Sequence, residues 1–151
     1  MKATFGAGCF WHVEDLLSKT KGVKSTKVGY IGGQLPNPTY EEVCTDKTGH
    51  AEAVEVEYDP NEISYEELLD VFWKNHNPTT LNRQGPDIGI QYRSVIFYHN
   101  DEQKEIAEKS KQTLEKSRQF ENSIITEIVP TPTFYDAEEY HQKYFKKHGL
   151  S

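Results

Sequence analysis

Cys9 and Cys44 are the only thiols in this 151-residue chain, and Cys9 stands where a thiol is most easily activated. Cys9 follows Gly8 and lies at or just before the start of a predicted helix, whose apolar residues recur at helical spacing. The unpaired N–H groups and the positive dipole end of a helix N-terminus stabilise a thiolate over a thiol. We therefore expect Cys9 to be a nucleophile, with an inert thiol packed in the core as the alternative.

Glu52 is the candidate proton donor, because it stands at the mouth of a predicted strand whose next residues are apolar. If its carboxyl group is buried there, desolvation disfavours the ionised form and raises the pKa. Such a group holds a proton near neutral pH and can act as a general acid. The alternative is a solvated glutamate on the outer face of the strand, beside Glu55 and Glu57.

Two phenols and one imidazole have side-chain types that suit a polar site near Cys9. Tyr40 and Tyr92 stand beside two long loops, and their hydroxyls can donate hydrogen bonds to a substrate oxygen without carrying charge. His50 offers an imidazole that could serve Cys9 as a base, as in thiol hydrolases. No spacing of Cys and His in the sequence matches a zinc site, and no glycine-rich phosphate loop is present. We therefore expect no metal and no nucleotide cofactor.

The composition narrows the classes of protein to which the chain can belong. Lys and Arg number 17 against 24 Asp and Glu, and the net charge of −7 repels nucleic acid. The sequence has no apolar run long enough to cross a membrane. Two cysteines exclude a disulfide framework, and the first residues do not resemble a secretory signal. These features predict a cytosolic protein that binds neither nucleic acid nor membrane.

The hydrophobic pattern predicts a single α+β domain over residues 1–151. Ser64 and Glu67 form a capping-box signature at the start of one helix, and Asp101 is expected to cap another that runs to about residue 118. Asp136 is expected to open a last amphipathic segment. Strands are predicted at 2–6, 23–31, 51–58, 94–98 and 124–129, with long functional loops at 34–39 and 77–92. This order is typical of a sandwich in which helices cover one face of an antiparallel or mixed sheet.

Four separated motifs carry a resemblance to a known family. They are Gly8-Cys9-Phe10-Trp11, Tyr40-Glu41-Glu42-Val43-Cys44, Thr48-Gly49-His50-Ala51-Glu52-Ala53-Val54 and Gly85-Pro86-Asp87-Ile88-Gly89-Ile90-Gln91-Tyr92-Arg93-Ser94. In this order they closely resemble the A-class peptide methionine sulfoxide reductases, over effectively the whole chain. The resemblance implies a ferredoxin-like α/β sandwich and an enzyme that reduces the S epimer of methionine sulfoxide, since one enzyme class serves each epimer.

The resemblance also implies a role for each matching residue. It makes Cys9 the nucleophile and Glu52 the proton donor, and it gives Tyr40 and Tyr92 the task of holding the sulfoxide oxygen. Attack by Cys9 then leaves methionine and a sulfenic acid on Cys9. Phe10 and Trp11 are implied to form the pocket for the S-methyl group of the substrate, and Asp87 is implied to belong to the polar rim.

The chain departs from many relatives in how its sulfenic acid would be reduced. Those relatives carry a resolving cysteine just after the nucleophile motif or in a C-terminal tail, but this chain has His12 and a cysteine-free end over residues 146–151. Cys44 is the one internal thiol that could resolve the sulfenic acid. Otherwise an external thiol such as thioredoxin, glutaredoxin or a small thiol attacks it directly. We expect a monomer that acts on oxidised proteins or on free methionine sulfoxide.

Two further interpretations stay open at this stage. One is a hydrolase that uses Cys9 as nucleophile and His50 as base. The other is a non-catalytic module in which the aromatic residues around an inert Cys9 bind a peptide methionine.

Overall fold

The computed structural model describes residues 1–149, so the last two positions of the predicted domain 1–151 lie outside the described residues. Two single turns of 3-10 helix accompany the elements, at Ile90–Tyr92 and Glu139–His141. In chain order the elements are β1 (Lys2–Ala7), α1 (Phe10–Ser18), β2 (Val23–Ile31), α2 (Tyr40–Val43), β3 (Ala51–Tyr58), α3 (Tyr65–Lys74), β4 (Arg83–Gln84), β5 (Asp87–Ile88), β6 (Ser94–Tyr98), α4 (Asp101–Lys116), β7 (Glu127–Pro130), β8 (Phe134–Asp136) and α5 (Tyr144–Lys147).

A six-stranded sheet in the order β7-β6-β1-β3-β2-β8 forms the centre of the molecule. All neighbouring pairs are antiparallel except β6 and β7, which are parallel, so the sheet is mixed. Strand β1 pairs with β3 in the middle of the sheet, with Phe5 opposite Val54. Each of these two strands therefore has a neighbouring strand on both sides.

The helices pack on one face of this sheet and form the main hydrophobic core with it. Leu17 of α1, Leu68 and Phe72 of α3 and Ala107 of α4 belong to the same buried cluster as the strand residues that point to that face. The opposite face carries a smaller buried cluster around Val95 and the neighbouring strands. The predicted α+β sandwich with helices on one face and a mixed sheet is confirmed. No helix within residues 1–149 has the length and apolarity needed to cross a bilayer.

Helix capping agrees with the sequence pattern at one helix and corrects it at another. Ser64 caps α3 and forms the expected reciprocal box with Glu67. The cap of α4 is Asn100, whose Oδ1 accepts a hydrogen bond from the backbone N–H of Gln103 at 2.8 Å. The prediction that Asp101 caps this helix is wrong, because Asn100 has the extended backbone of a cap and Asp101 is already the first helical residue.

The C-terminal third also differs from the predicted pattern. Asp136 does not open an amphipathic segment but ends strand β8, which pairs with β2 at the edge of the sheet. This pairing brings the ring of Phe134 so close to Gly29 that a Cβ there would lie 2.4 Å from it. The strand predicted at 124–129 begins only at Glu127. A three-residue strand is too short for its alternation to be recognised in a sequence.

Candidate active site

Cys9 and Glu52 meet because β1 and β3 run antiparallel in the middle of the sheet. Cys9 is the N-cap of α1, two residues after the end of β1, and Glu52 is the second residue of β3. The backbone N–H of Phe10, in the first turn of α1, donates a hydrogen bond to Glu52 Oε1 at 3.3 Å. The other oxygen, Glu52 Oε2, is buried and has no hydrogen-bond partner. One carboxyl oxygen is thus tied to the helix and the other is left for a ligand.

Glu52 is buried, with 1% of its surface exposed. It shares a strand face with Val54 and Val56, whereas Glu55 and Glu57 lie on the other face and pair with Lys2 and the N-terminus. Desolvation raises the pKa of the Glu52 carboxyl from 4.5 to about 8, and the charge of Asp87 adds to the rise, while the Phe10 N–H partly opposes it. The solvated alternative is therefore wrong, and Glu52 is mostly protonated at neutral pH.

Burial also dominates the chemistry of Cys9, and here it acts against the sequence prediction. Backbone N–H groups of Trp11 and His12 donate hydrogen bonds that lower the thiol pKa, as expected at a helix N-terminus. Desolvation outweighs them, and the negative charges of Glu52, once it is ionised, and of Asp87 oppose ionisation further. Together these effects raise the pKa of Cys9 from 9.0 to about 11. The expectation of a thiolate stabilised in the free protein is wrong, and at neutral pH Cys9 is a thiol.

The structure gathers the two predicted phenols and the second cysteine around this pair. The Tyr40 hydroxyl interacts with the Cys44 thiol one helical turn later, and Cys44 itself is exposed. Tyr92 lies within electrostatic range of Glu52, Cys44, Asp87 and Cys9. Burial raises the pKa of both phenols, so each is a neutral hydrogen-bond donor. Tyr40, Tyr92, Asp87 and Cys44 therefore all interact electrostatically with other residues of the Cys9–Glu52 site.

Phe10 and Trp11 occupy different positions relative to the site. The Phe10 ring is buried, and its centroid lies 5.8 Å from that of Tyr30 and 5.3 Å from that of His141. Trp11 is partly exposed, stacks on Tyr144 with ring centroids 3.8 Å apart, and donates from Nε1 to His141 Nδ1 at 3.0 Å. Trp11 can present an aromatic surface to a ligand, and Phe10 supports it from the core.

Two residues that hold the site were missed by the sequence analysis. Glu138 accepts hydrogen bonds from the Tyr30 hydroxyl at 2.8 Å and from the backbone N–H of Tyr40 at 2.9 Å. It therefore fixes the start of α2, which carries Tyr40. His141 is buried between the aromatic rings of the site. The only signal in the sequence is the dense run of aromatic residues over 134–145, which the predicted amphipathic segment did not explain.

His50 is buried but does not serve Cys9. Its Nδ1 accepts a hydrogen bond from the backbone N–H of Gly33 at 3.0 Å, and its Nε2 donates to the carbonyl oxygen of Leu35 at 2.7 Å. Both ring nitrogens are thus used to fix the loop after β2, and neither can take the proton of Cys9. The hydrolase interpretation is wrong. Within residues 1–149 no group of three or more Cys, His, Asp or Glu side chains is arranged to hold a metal ion.

An apolar cavity of about 320 Å³ opens on the other side of Cys9, between α1 and α3. Residues of α1, of α3, of the end of β1 and of the β4–β5 hairpin line it. Its lining comprises Phe5, Ala7, Cys9, His12, Val13, Leu16, Leu17, Val71, Phe72, Asn75, His76, Gln84 and Asp87. Cys9 and Asp87 therefore belong both to this cavity and to the polar cluster around Glu52.

Comparisons with known proteins agree with this geometry. The family model described as peptide methionine sulfoxide reductase matches residues 1–150. Peptide methionine sulfoxide reductase MsrA of Methanothermobacter thermautotrophicus is 64% identical over 146 residues, which cover 97% of this chain and 86% of that protein. The crystal structure of Mxr1 from Saccharomyces cerevisiae in reduced form matches with a TM-score of 0.93 and 39% identity, covering 100% of this chain and 87% of that one.

Mxr1 has also been solved in complex with Trx2, and that structure matches with a TM-score of 0.68 and 31% identity, over 95% of this chain and 84% of Mxr1. Sequence and structure thus agree over nearly the full length of the chain. The chain belongs to the peptide methionine sulfoxide reductase family.

Proposed function

We propose that this protein reduces methionine S-sulfoxide with Cys9 as the nucleophile and Glu52 as the general acid. One observation supports these roles: a buried, protonated carboxyl group with a free oxygen lies near a partly buried thiol. A sulfoxide sulfur becomes electrophilic only when its oxygen receives a proton, and Glu52 is the group in this site that can supply one at neutral pH. The family consists of reductases, so the interpretation as a non-catalytic module is wrong.

The reaction balances with the protons that the two residues hold. The Glu52 carboxylic acid gives its proton to the sulfoxide oxygen, Cys9 sulfur attacks the sulfoxide sulfur, and the resulting Glu52 carboxylate takes the thiol proton. The methionine sulfur then loses its bonds to this oxygen and to the Cys9 sulfur, while the oxygen, with its proton, forms a new bond to Cys9. The methionine sulfur is reduced by two electrons, and Cys9 is oxidised to a sulfenic acid. Glu52 ends the step protonated and ready for the next substrate.

The neighbouring residues fit supporting roles in this step. Tyr40 and Tyr92 are neutral donors near Glu52 and can hydrogen-bond the sulfoxide oxygen as charge develops on it. Trp11, backed by Phe10, offers an apolar wall for the S-methyl group, whose burial discriminates by about 1–3 kcal/mol per methylene-sized group. Asp87 carries a negative charge at the rim and contributes to the raised pKa of Glu52.

The sulfenic acid on Cys9 can be reduced by two routes, and in each of them a thiol attacks its sulfur. Cys44 is exposed, and an internal route in which its thiol attacks the sulfenic acid would give a Cys9–Cys44 disulfide. An external thiol can instead attack Cys9 directly. Either route ends with a reductant of the thioredoxin type, and the complex of the related Mxr1 with Trx2 supports this partner. A cytosolic monomer with no bound cofactor remains our prediction.

The first turnover is tested with a dabsylated mixture of methionine sulfoxide epimers and dithiothreitol. We expect loss of the S epimer with the wild-type protein and with Cys44→Ser, and no loss with Cys9→Ser. A mass increase of one oxygen, about 16 Da, on Cys9 of Cys44→Ser after one turnover identifies the sulfenic acid. Activity that survives in Cys9→Ser would show that another residue attacks the sulfoxide.

The recycling route is tested by thioredoxin-coupled turnover of wild-type protein and of Cys44→Ser. If Cys44 resolves the sulfenic acid, the coupled rate falls strongly in Cys44→Ser while the first turnover stays unchanged. If an external thiol attacks Cys9, the two proteins turn over equally. The same assay with free methionine sulfoxide and with an oxidised protein compares the two predicted substrates.

A further inference from the structure

We propose that the apolar cavity between α1 and α3 binds an apolar side chain next to the methionine sulfoxide in a polypeptide substrate. This inference rests on the proposed reduction at Cys9 and adds a specificity for sequence around the oxidised residue. It assigns a function to residues that the chemistry at Glu52 does not use. The occupant is part of the same substrate molecule whose sulfoxide reacts.

The position of the cavity supports this proposal, because Cys9 is one of the residues that line it. A sulfoxide must touch Cys9 sulfur to react, so any polypeptide substrate brings its neighbouring residues to the mouth of the cavity. Consecutive Cα atoms are about 3.8 Å apart, which places the next side chain within reach of a cavity that begins at the nucleophile. Asp87 also lines the cavity, and its charge acts on Cys9, so the cavity shares two residues with the polar cluster.

The lining decides the chemical class of the occupant. Val13 and Leu16 on α1 and Val71 on α3 are only partly buried, so their apolar surface faces the open cavity. The volume of about 320 Å³ lies at the lower end of the range of ligand pockets, about 300–1,000 Å³, and suits one side chain better than a whole small molecule. An apolar side chain gains free energy when it leaves water for such a surface.

The polar residues of the cavity do not favour a charged occupant. His76 is buried, and its ring bonds the carbonyl oxygen of Phe72 at 2.6 Å and the hydroxyl of Ser94 at 2.7 Å. Desolvation lowers the pKa of His76 to about 4, so the imidazole is neutral at pH 7. Asp87 at the rim is the anionic side chain of the lining and repels an acidic residue. The cavity therefore favours leucine-like side chains and disfavours aspartate.

The test uses two series of capped tripeptides of methionine S-sulfoxide, with Leu, Gly or Asp before the sulfoxide in one series and after it in the other. N-acetyl-methionine S-sulfoxide methylamide, which has no flanking side chain, is the reference substrate. With wild-type protein we expect kcat/KM to be about tenfold higher for Leu than for Gly in at least one series, and lowest for Asp. Values equal within about twofold in both series would overturn the proposal.

Val71→Asn introduces a polar group into the cavity without a charge, and Asp70→Asn on the exposed side of α3 is the matched control. We expect Val71→Asn to lose the preference for Leu and to reduce the reference substrate at the wild-type rate, while Asp70→Asn keeps both. If Val71→Asn lost as much kcat/KM on the reference substrate as on the Leu peptide, the cavity would be the site of the S-methyl group itself, and the proposal would be overturned. If wild-type protein failed to reduce the reference substrate at all, the proposed function would be wrong instead. The wild-type peptide series decides the question even if Val71→Asn does not fold.

Discussion

Replacing Glu52 by glutamine should move two measurable properties of the site in opposite directions. Glutamine keeps the shape of the side chain and an oxygen that can accept the hydrogen bond of the Phe10 N–H, but it cannot transfer a proton. Sulfoxide reduction should therefore fall by about 10²–10⁴-fold, the usual contribution of general acid catalysis. The thiol of Cys9 should become easier to ionise, because the negative charge of Glu52 opposes its ionisation in the wild-type protein.

The magnitude follows from the two pKa values of the site. A thiol with a pKa of about 11 is ionised to about one part in 10,000 at pH 7, about a hundredfold less than a thiol at 9.0. Glu52, with a pKa of about 8, is ionised at pH 9–10, so its charge acts on Cys9 in that range. Iodoacetamide alkylation of Cys9 should therefore be slow in the wild-type protein at pH 7, rise with pH, and be faster in Glu52→Gln at pH 9–10.

The assay is run in a Cys44→Ser background, so that Cys9 is the only thiol that reacts. Alkylation is followed by mass spectrometry, and the first turnover is followed by quenched release of methionine. Glu55→Gln, on the opposite face of the same strand, is the control and should change neither rate. The assignment of Glu52 as the acid would be refuted if Glu52→Gln reduced the sulfoxide within tenfold of the wild-type rate. It would also be refuted if the variant lost rate in alkylation as well as in sulfoxide reduction.

Three further predictions concern the phenols, stability and helix capping. Tyr40→Phe and Tyr92→Phe should each lose far less rate than Glu52→Ala in the first-turnover assay, because either hydroxyl can hold the sulfoxide oxygen, whereas the double variant should lose much more than either single one. Burial raises the pKa of Glu52 from 4.5 to about 8 in the folded protein, so its contribution to the free energy of unfolding decreases as pH rises through that window. In urea unfolding, the free energy of unfolding of wild type should therefore fall by about 3–5 kcal/mol more than that of Glu52→Gln when the pH is raised from 5 to 9. Asn100→Ala should lower the free energy of unfolding by about 1 kcal/mol in the same measurement, and Asp101→Ala by clearly less.

The central strands could be predicted from the sequence because their side chains alternate and their ends carry turn residues. Strands 23–31, 51–58 and 94–98 have the predicted bounds. The capping box at Ser64 was equally visible, since both partners lie within four residues. Strand β8 was missed because its three residues are held by pairing with β2, more than a hundred residues earlier. Patterns within a few residues therefore predicted local structure, whereas strand β8 at the edge of the sheet depends on pairing with a distant part of the chain.

The residues of the candidate site were chosen from the sequence by type, and the sequence predicted the protonation of Glu52 but not that of Cys9. For Glu52 the sequence showed apolar neighbours on its strand, and burial raised its pKa as expected. For Cys9 the sequence showed a helix N-terminus, which lowers a thiol pKa, but not the desolvation that outweighs it. The contacts of Glu138 and His141 with residues of α1 and α2 connect positions about 100 to 130 apart, and no pattern along the chain indicates them.

In the proposed mechanism, burial keeps both the Glu52 carboxyl and the Cys9 thiol protonated, and this combination would favour reaction with a sulfoxide. A peroxide or an alkylating agent reacts with the thiolate, which is rare when the pKa of Cys9 is about 11. A bound sulfoxide offers an oxygen that takes the proton of Glu52, and the carboxylate formed at that moment is the base that Cys9 lacked. The two protons therefore move only when the correct substrate connects the two residues. A helix N-terminus that gave a stable thiolate would make Cys9 reactive toward every electrophile, so the raised pKa is consistent with the proposed function rather than opposed to it.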